Sequence, residues 1–326
     1  MTTLVQGDTL KITTVVPAYK PQFLKYLLAS LMQQTERPHQ VIFSDDTEDL
    51  TFARALLLDP LKTALADLNV KVVQGPRKGA AANWRHCLQA WDVQTELVHV
   101  LCDDDYLFPQ FYEQHRKAHE SGRFSATVSR RYYADIDGVC LQCALEVPPE
   151  IASVGSRYLR IDAATLFPLV VPSCTNWLGE VSNMVMHREA ATLLAFPSFD
   201  GIPFSGLEDI GSVLCASVQD PICYIAEHLG YFRMHPQQNT MQFTSRPVKL
   251  AVLAWGALAV IGRQRGLLNH KHAKVALAKS LFMAQEVFAA DAEMKPFIDL
   301  IPAALAEQPQ ALTQWIALWN GFAAQS

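Results

Sequence analysis

The chain has 326 residues, half of them hydrophobic, with 27 lysines and arginines against 32 aspartates and glutamates. That length suits one large domain or a domain with a smaller companion. A net charge of −5, with no interleaving of aromatic and basic residues, excludes a general attraction to nucleic acid.

Seven cysteines (87, 102, 140, 143, 174, 215 and 223) are irregularly spaced. An odd, irregular set fits free thiols in a reducing compartment, and a cytoplasmic location is expected. Cys140 and Cys143 have the spacing of a zinc knuckle but no second pair, so zinc is not expected there. Met1 to Asp8 is polar and lacks a signal peptide's apolar centre. The longest apolar run, Leu250 to Gly262, is too short to span a bilayer. It reads as a buried helix. Its flanking Arg246, Lys249, Arg263 and Arg265 leave peripheral contact with a membrane surface as the alternative.

In chain order, Lys11 to Val16 is a β-branched strand stopped by Pro17, and Leu24, Leu27, Leu28 and Leu31 define an amphipathic helix. Gln40 to Ser44 is a second strand ending in Asp45-Asp46, followed by a leucine-rich helix over 50–68. Val70 to Gln74 is a third strand, broken by Gly75-Pro76, with a helix over Ala80 to Trp91. Leu97 to Leu101 is a fourth strand, and Asp103, Asp104 and Asp105 follow it. This alternation predicts an α/β fold, a Rossmann-like and mostly parallel sheet flanked by helices. Right-handed crossovers then gather the four strand tails on one rim, where open α/β sheets bind ligands. Three adjacent carboxylates repel one another unless a cation intervenes, and hard oxygen donors suit Mg²⁺ or Mn²⁺. There is neither a G-x-G-x-x-G after the first strand nor a P-loop, so metal and side chains must hold any phosphate.

Beyond the triplet, Phe111 to Glu120 is a helix on which His115 and His119 read as a solvated face rather than a metal pair. Ala126 to Ala134, Asp137-Gly138 and Val139 to Leu145 form a β-hairpin pattern. Asp162 caps a helix through Leu166, Val181 to Met186 is a strand, and Arg188 to Ala195 is a helix. Glu208 and Asp209 open a helix over Ile210 to Val218; alone, they are an ordinary acidic cap. Ile222 to Ala226 and Tyr231 to Met234 are the last strands, and after Pro247 the pattern is entirely helical. The expected division is therefore 1–245, an α/β domain, and 246–326, a helical extension that packs on that domain or on a partner, including a second copy.

Residues 1–245 resemble an inverting family 2 glycosyltransferase of the GT-A fold. The likeness rests on Val15-Val16-Pro17-Ala18-Tyr19, Ile42-Phe43-Ser44-Asp45-Asp46, Gly79 with Asn83-Trp84, Leu101 to Asp105 with Pro109, Glu208-Asp209, and Tyr231 to His235. The resemblance implies that Pro17, Ala18 and Tyr19 line the base pocket of a UDP-, dTDP- or GDP-linked sugar. Asp45 or Asp46 would accept from base or ribose, Gly79 would allow close backbone approach, and Asn83 would brace the nucleotide loop. The triplet matches the family's D-x-D element: Asp103 and Asp104 toward the donor, Asp103 and Asp105 with His235 toward Mn²⁺ or Mg²⁺. Arg233 matches a segment over the diphosphate, and Asp209, beside Glu208, is the expected general base. A saccharide, lipid-linked or protein hydroxyl would be the acceptor. Two departures stand out: Cys102 occupies a position where the family often has aspartate, and the tail of the second strand is shortened. The rival readings are a non-catalytic nucleotide-sugar-binding scaffold and a sugar nucleotidyltransferase.

Overall fold

The computed structural model describes residues 9–58, 61–141, 146–236, 238, 244–306 and 308–324. Strands β1 (Ile12–Ala18), β2 (Gln40–Asp45), β3 (Val70–Gln74) and β4 (Leu97–Val100) alternate with α1 (Leu24–Met32), α2 (Thr51–Leu56), α3 (Leu61–Leu65) and α4 (Ala80–Trp91). Then come β5 (Tyr106–Leu107), α5 (Phe111–Glu120), β6 (Ala126–Ala134), α6 (Pro149–Ala152), β7 (Tyr158–Ile161) and α7 (Ala163–Val170). They are followed by β8 (Met184–His187), α8 (Arg188–Ala195), β9 (Ser198–Phe199), β10 (Ile202–Pro203), α9 (Glu208–Ala216) and β11 (Ile222–Arg233). The chain ends in α10 (Arg246–Gln264), α11 (His270–Phe288), α12 (Lys295–Ile298), α13 (Ile301–Leu305) and α14 (Pro309–Ala323).

The main sheet runs β3-β2-β1-β4-β8-β6-β11-β5, with β7 paired to β11. β1 to β4 are mutually parallel, as the alternation predicts, and their C-terminal ends share one rim. β8 enters antiparallel between β4 and β6. Both faces of the inner strands are buried, so β1 and β2 read as continuous apolar runs rather than alternating ones.

Several expected elements differ. The leucine-rich stretch over 50–68 forms two short helices, with Pro60 between them in sequence. The expected hairpin is reduced to a single bridge, Ala134 with Cys140, because β6 pairs instead with β8 and β11. Its far end, including Cys143, lies outside the described residues. β11 is one strand of 12 residues rather than two; register shifts between Ile225 and His228 and between His228 and Tyr231 break its pattern. His115 and His119 are buried, not solvated: His115 Nδ1 pairs with Thr127 Oγ1 at 2.6 Å, and His119 Nε2 donates to the Val185 carbonyl at 3.1 Å.

The run at 250–262 is the buried centre of α10, and among the described residues no helix is long and apolar enough to cross a membrane. Leu253, Ala254 and Leu258 share one apolar cluster with Phe167, Phe204, Leu207 and Ile210. The helical region thus packs directly against the elements around α9. Gly256 meets the Trp315 ring, where a Cβ would come within 2.5 Å. Trp319 Nε1 donates to the Pro203 carbonyl at 2.7 Å, tying α14 to β10. Gly206 has φ +96°, and a Cβ there would lie 2.4 Å from the Ala251 amide nitrogen, so the turn into α9 rests on α10.

Candidate active site

The rim is built from the tails of β1, β2 and β4. Asp103 Oδ2 accepts from the Tyr19 and Lys20 amides, each at 2.6 Å, and Lys20 Nζ lies 3.4 Å from its other oxygen. Lys20 Nζ also bonds Asp104 Oδ2 at 2.8 Å, and His235 Nε2 donates to the same oxygen at 2.8 Å. Asp105 Oδ1 accepts from the Arg233 amide at 3.1 Å, and its Oδ2 is buried without a partner. Burial raises the pKa of Asp103 and, further, that of Asp105. For Asp104 burial is outweighed by Lys20 and the His235 bond, which lower it. Burial alone would lower the Lys20 ammonium, but Asp103 and Asp104 together raise it. Protein cations therefore already counter much of the corner's negative charge.

The expected metal set was Asp103, Asp105 and His235. The donor atoms that converge, within 4.8 Å of one another, belong instead to Cys102, Asp104 and Asp105. Of the expected set only Asp105 lies among them; Asp103 is engaged by the loop after β1, and His235 by Asp104. Two carboxylates and a thiol form a donor set that fits a divalent cation.

Pro17 and the buried Ala18 end β1, and Tyr19 projects with 65% of its surface exposed, open to stack on a ligand. Asp45 is fully buried and serves its own turn, accepting from Thr47 N–H, Thr47 Oγ1 and Ala53 N–H. Asp46 is only partly buried; its Oδ1 takes the Arg77 amide at 2.5 Å, so it faces the loop after β3. Of the two, Asp46 has the more open position. Gly79 has φ +86°, an angle that favours glycine, and its Cα faces open space. Asn83 is buried and exchanges two bonds with Ser44, bracing α4 on β2.

Arg233 is fully buried. Its guanidinium donates to the Asp104 and Ile136 carbonyls and to Tyr231 Oη, between the rings of Phe23, Tyr26 and Tyr231. The expected reach over a diphosphate is not available to a side chain so enclosed; Arg233 holds the corner from behind.

Asp209 is the second residue of α9, with Oδ1 accepting from the Ile210 amide at 2.7 Å and Oδ2 from Asn176 Nδ2 at 3.0 Å. Burial, and then the nearby Glu180 and Glu208, raise its pKa to about 7. Glu208 turns back onto the Gly206 amide at 2.9 Å. The segment 176–182 links Asp209 to the acidic corner through hydrogen bonds at its two ends. Asn176 holds Asp209 and closes a turn on Gly179, while Ser182 Oγ accepts the Cys102 amide at 3.0 Å. His99 on β4 donates to the Ser182 carbonyl at 2.9 Å. Six steps of chain reach at most about 20 Å, and the Asn176–Gly179 turn shortens that. Lys20, Asn176, Glu180 and Ser182 had not stood out in the sequence. Only Lys20, a cation directly after Pro17-Ala18-Tyr19, carried any signal there. A cavity of about 360 Å³ lined by Thr9 to Ile12, Glu36, Arg37 and Arg116 lies at the other end of β1, away from this site.

Residues 13–149 match the family model described as glycosyl transferase family 2. No curated protein matches the sequence. Among solved structures, TarS of S. aureus superposes with a TM-score of 0.57 at 12% identity, covering 96% of this chain but only 55% of the TarS chain. TarS 1-349, in complex with UDP-GlcNAc, gives 0.53 at 13% identity, covering 97% of this chain and 93% of that one. The mannosyltransferase PcManGT from Pyrobaculum calidifontis, in complex with GDP-Man and Mn²⁺, gives 0.53 at 14% identity, covering 97% and 85%. The family match thus falls on the β1–β4 rim and the elements that follow it, and the architecture is of the GT-A type that these structures share.

Proposed function

We propose that this chain is a glycosyltransferase that moves a sugar from a nucleoside-diphosphate donor to an acceptor hydroxyl with inversion, using Asp209 as the general base. The observation that carries this reading is segment 176–182, which bonds the base at one end and the acidic corner at the other. A single displacement needs a cationic site for the leaving diphosphate and a carboxylate on the far face of the sugar. Asp209, with its pKa raised to about 7, is suited to take a proton near neutrality. Asn176 fixes the direction of that carboxylate.

On the donor side, Tyr19 offers a stacking face for the base, and Asp46 an acceptor for base or ribose. Asp104 and Asp105, with the neutral Cys102 thiol beside them, would hold a divalent ion, Mn²⁺ or Mg²⁺, which would supply Lewis-acid stabilisation to a departing diphosphate. Asp103 keeps the loop after β1 closed on the corner, and Arg233 and His235 fix Asp104. Lys20 adds positive charge beside the diphosphate path. The donors in the TarS and PcManGT complexes, UDP-GlcNAc and GDP-Man, support a nucleotide sugar here. The acceptor class is a saccharide, lipid-linked or protein hydroxyl.

The test is a thermal-shift screen of nucleotide sugars with and without Mn²⁺, then transfer assays with the donor that stabilises the chain most. Inversion at the anomeric carbon, read by NMR of the product, is expected; retention overturns the mechanism. Donor binding without turnover against broad acceptor panels would favour the scaffold reading, and pyrophosphate release from a nucleoside triphosphate would favour the nucleotidyltransferase.

A further inference from the structure

Behind the acidic corner, a cavity of about 10 Å³ is lined by residues of β5, α5, β6, β11 and the segment 180–183. Three of its lining side chains carry a buried polar atom with no hydrogen-bond partner: Asp105 Oδ2, Arg131 Nη1 and Asn183 Oδ1. The three residues are 2%, 5% and 4% exposed. An unmade bond in such a place costs about 1–3 kcal/mol per group, so three around one cavity call for a common partner. Each is fixed in orientation by its other contacts. Asp105 Oδ1 takes the Arg233 amide. Arg131 grips Glu180 through Nε and Nη2 and lies over the Tyr133 and Phe232 rings. Asn183 Nδ2 donates to the Ser129 and Leu178 carbonyls, which leaves its oxygen free.

We propose that this cavity binds one water molecule as a built-in part of the site, and that Arg131 positions Asp105 through it. The volume is that of a single water. The chemistry also matches: Arg131 Nη1–H donates to the water oxygen, and the water donates one hydrogen to Asp105 Oδ2 and the other to Asn183 Oδ1. Two acceptor oxygens disfavour an anion there, and the guanidinium disfavours a metal cation. The bridge leaves Asp105 held from both sides, by the Arg233 amide on one oxygen and by the water on the other. Arg131 is thus a positioning residue, joined to the donor corner through water and to the wall near Asp209 through Glu180. The functional half of the inference rests on the reading of Asp105 as part of the donor corner; the water itself does not.

The first test is a high-resolution crystal structure of the full chain. A density peak within hydrogen-bond distance of all three atoms is expected, and a dry cavity overturns the proposal whether or not the chain transfers sugar. The second is kinetic, with folding of each variant checked by its thermal transition. Arg131→Met is expected to raise the donor KM about tenfold with little change in kcat, as for loss of a well-ordered bridge. Arg131→Lys, which keeps a donor, restores KM to within about threefold of the parent. Glu180→Gln, which leaves the water in place, is expected to shift the pH profile without the KM effect. If Arg131→Met leaves KM unchanged, or if Glu180→Gln reproduces its effect, Arg131 does not act on Asp105 through the water. A chain that turns over no nucleotide sugar would fail the functional reading, while the crystallographic test still decides the water.

Discussion

The two acidic walls of the site treat their carboxylates in opposite ways. At the end of β4, Asp103 and Asp104 are met by backbone amides, the Lys20 ammonium and His235, so the corner is charge-compensated before any ligand arrives. At the start of α9, Asp209 receives two neutral donors and has Glu180 and Glu208 as its charged neighbours. On the proposed mechanism, one wall would hold the diphosphate and the other would accept a proton. The same residue type is tuned in two directions by what surrounds it: Asp104 downward by Lys20 and the His235 bond, Asp209 upward by burial and its acidic neighbours.

That contrast can be broken most severely at the base. Asp209→Asn should lower transfer by roughly 10²- to 10⁴-fold while donor binding, read by calorimetry, persists; near-normal turnover would mean that another group takes the proton. Truncating the support beneath that wall is the next largest effect. Trp319 is fully buried and bonded to the Pro203 carbonyl, so Trp319→Ala should cost about 3–5 kcal/mol in chemical denaturation. The donor wall is tested by chelation: EDTA should suppress transfer, Mn²⁺ or Mg²⁺ should restore it, and Asp104→Asn should weaken the metal response about 10- to 100-fold. Full activity in chelator would leave Lys20 and its neighbours as the cations of the corner.

The smallest expected effect sharpens the comparison through pH. Transfer should rise as pH passes upward through about 7, because Asp209 must be ionised to act. Stability should move the other way. A carboxyl whose folded pKa stands near 7 against the ordinary 3.8 binds its proton more tightly when folded. Between those values the folded state holds more protons than the unfolded one, so this group's contribution falls as pH rises from about 4 to 7. Asp209→Asn should flatten that part of the stability profile, measured by thermal denaturation across pH; an unchanged slope would assign the raised pKa elsewhere.

Much of this was legible before any coordinates. The β1–β4 alternation and the clustering of polar tails on one rim follow from local patterns, because strands buried on both faces and their intervening helices each have a period of their own. Glu208-Asp209 was readable as an acidic helix start. Less legible was whatever depended on the partner an element finds. β11 read as two strands because its bulges interrupt the pattern, and His115 and His119 read as solvated because polarity alone does not reveal that α5 lies beneath the sheet.

The sequence by itself determined the parallel half-sheet and the acidic residues gathered on its rim, since spacing and side-chain type suffice for both. Tertiary structure alone decided what each of those residues does. Asp45 and Arg233 proved to be enclosed supports, Asp103 a latch on the loop after β1, and Cys102 a member of the converging donor set. The reason is physical: a carboxylate's or guanidinium's role is set by burial and by the few groups within about 3 Å of it. In this chain those groups come from segments as far apart as residues 20, 104 and 235.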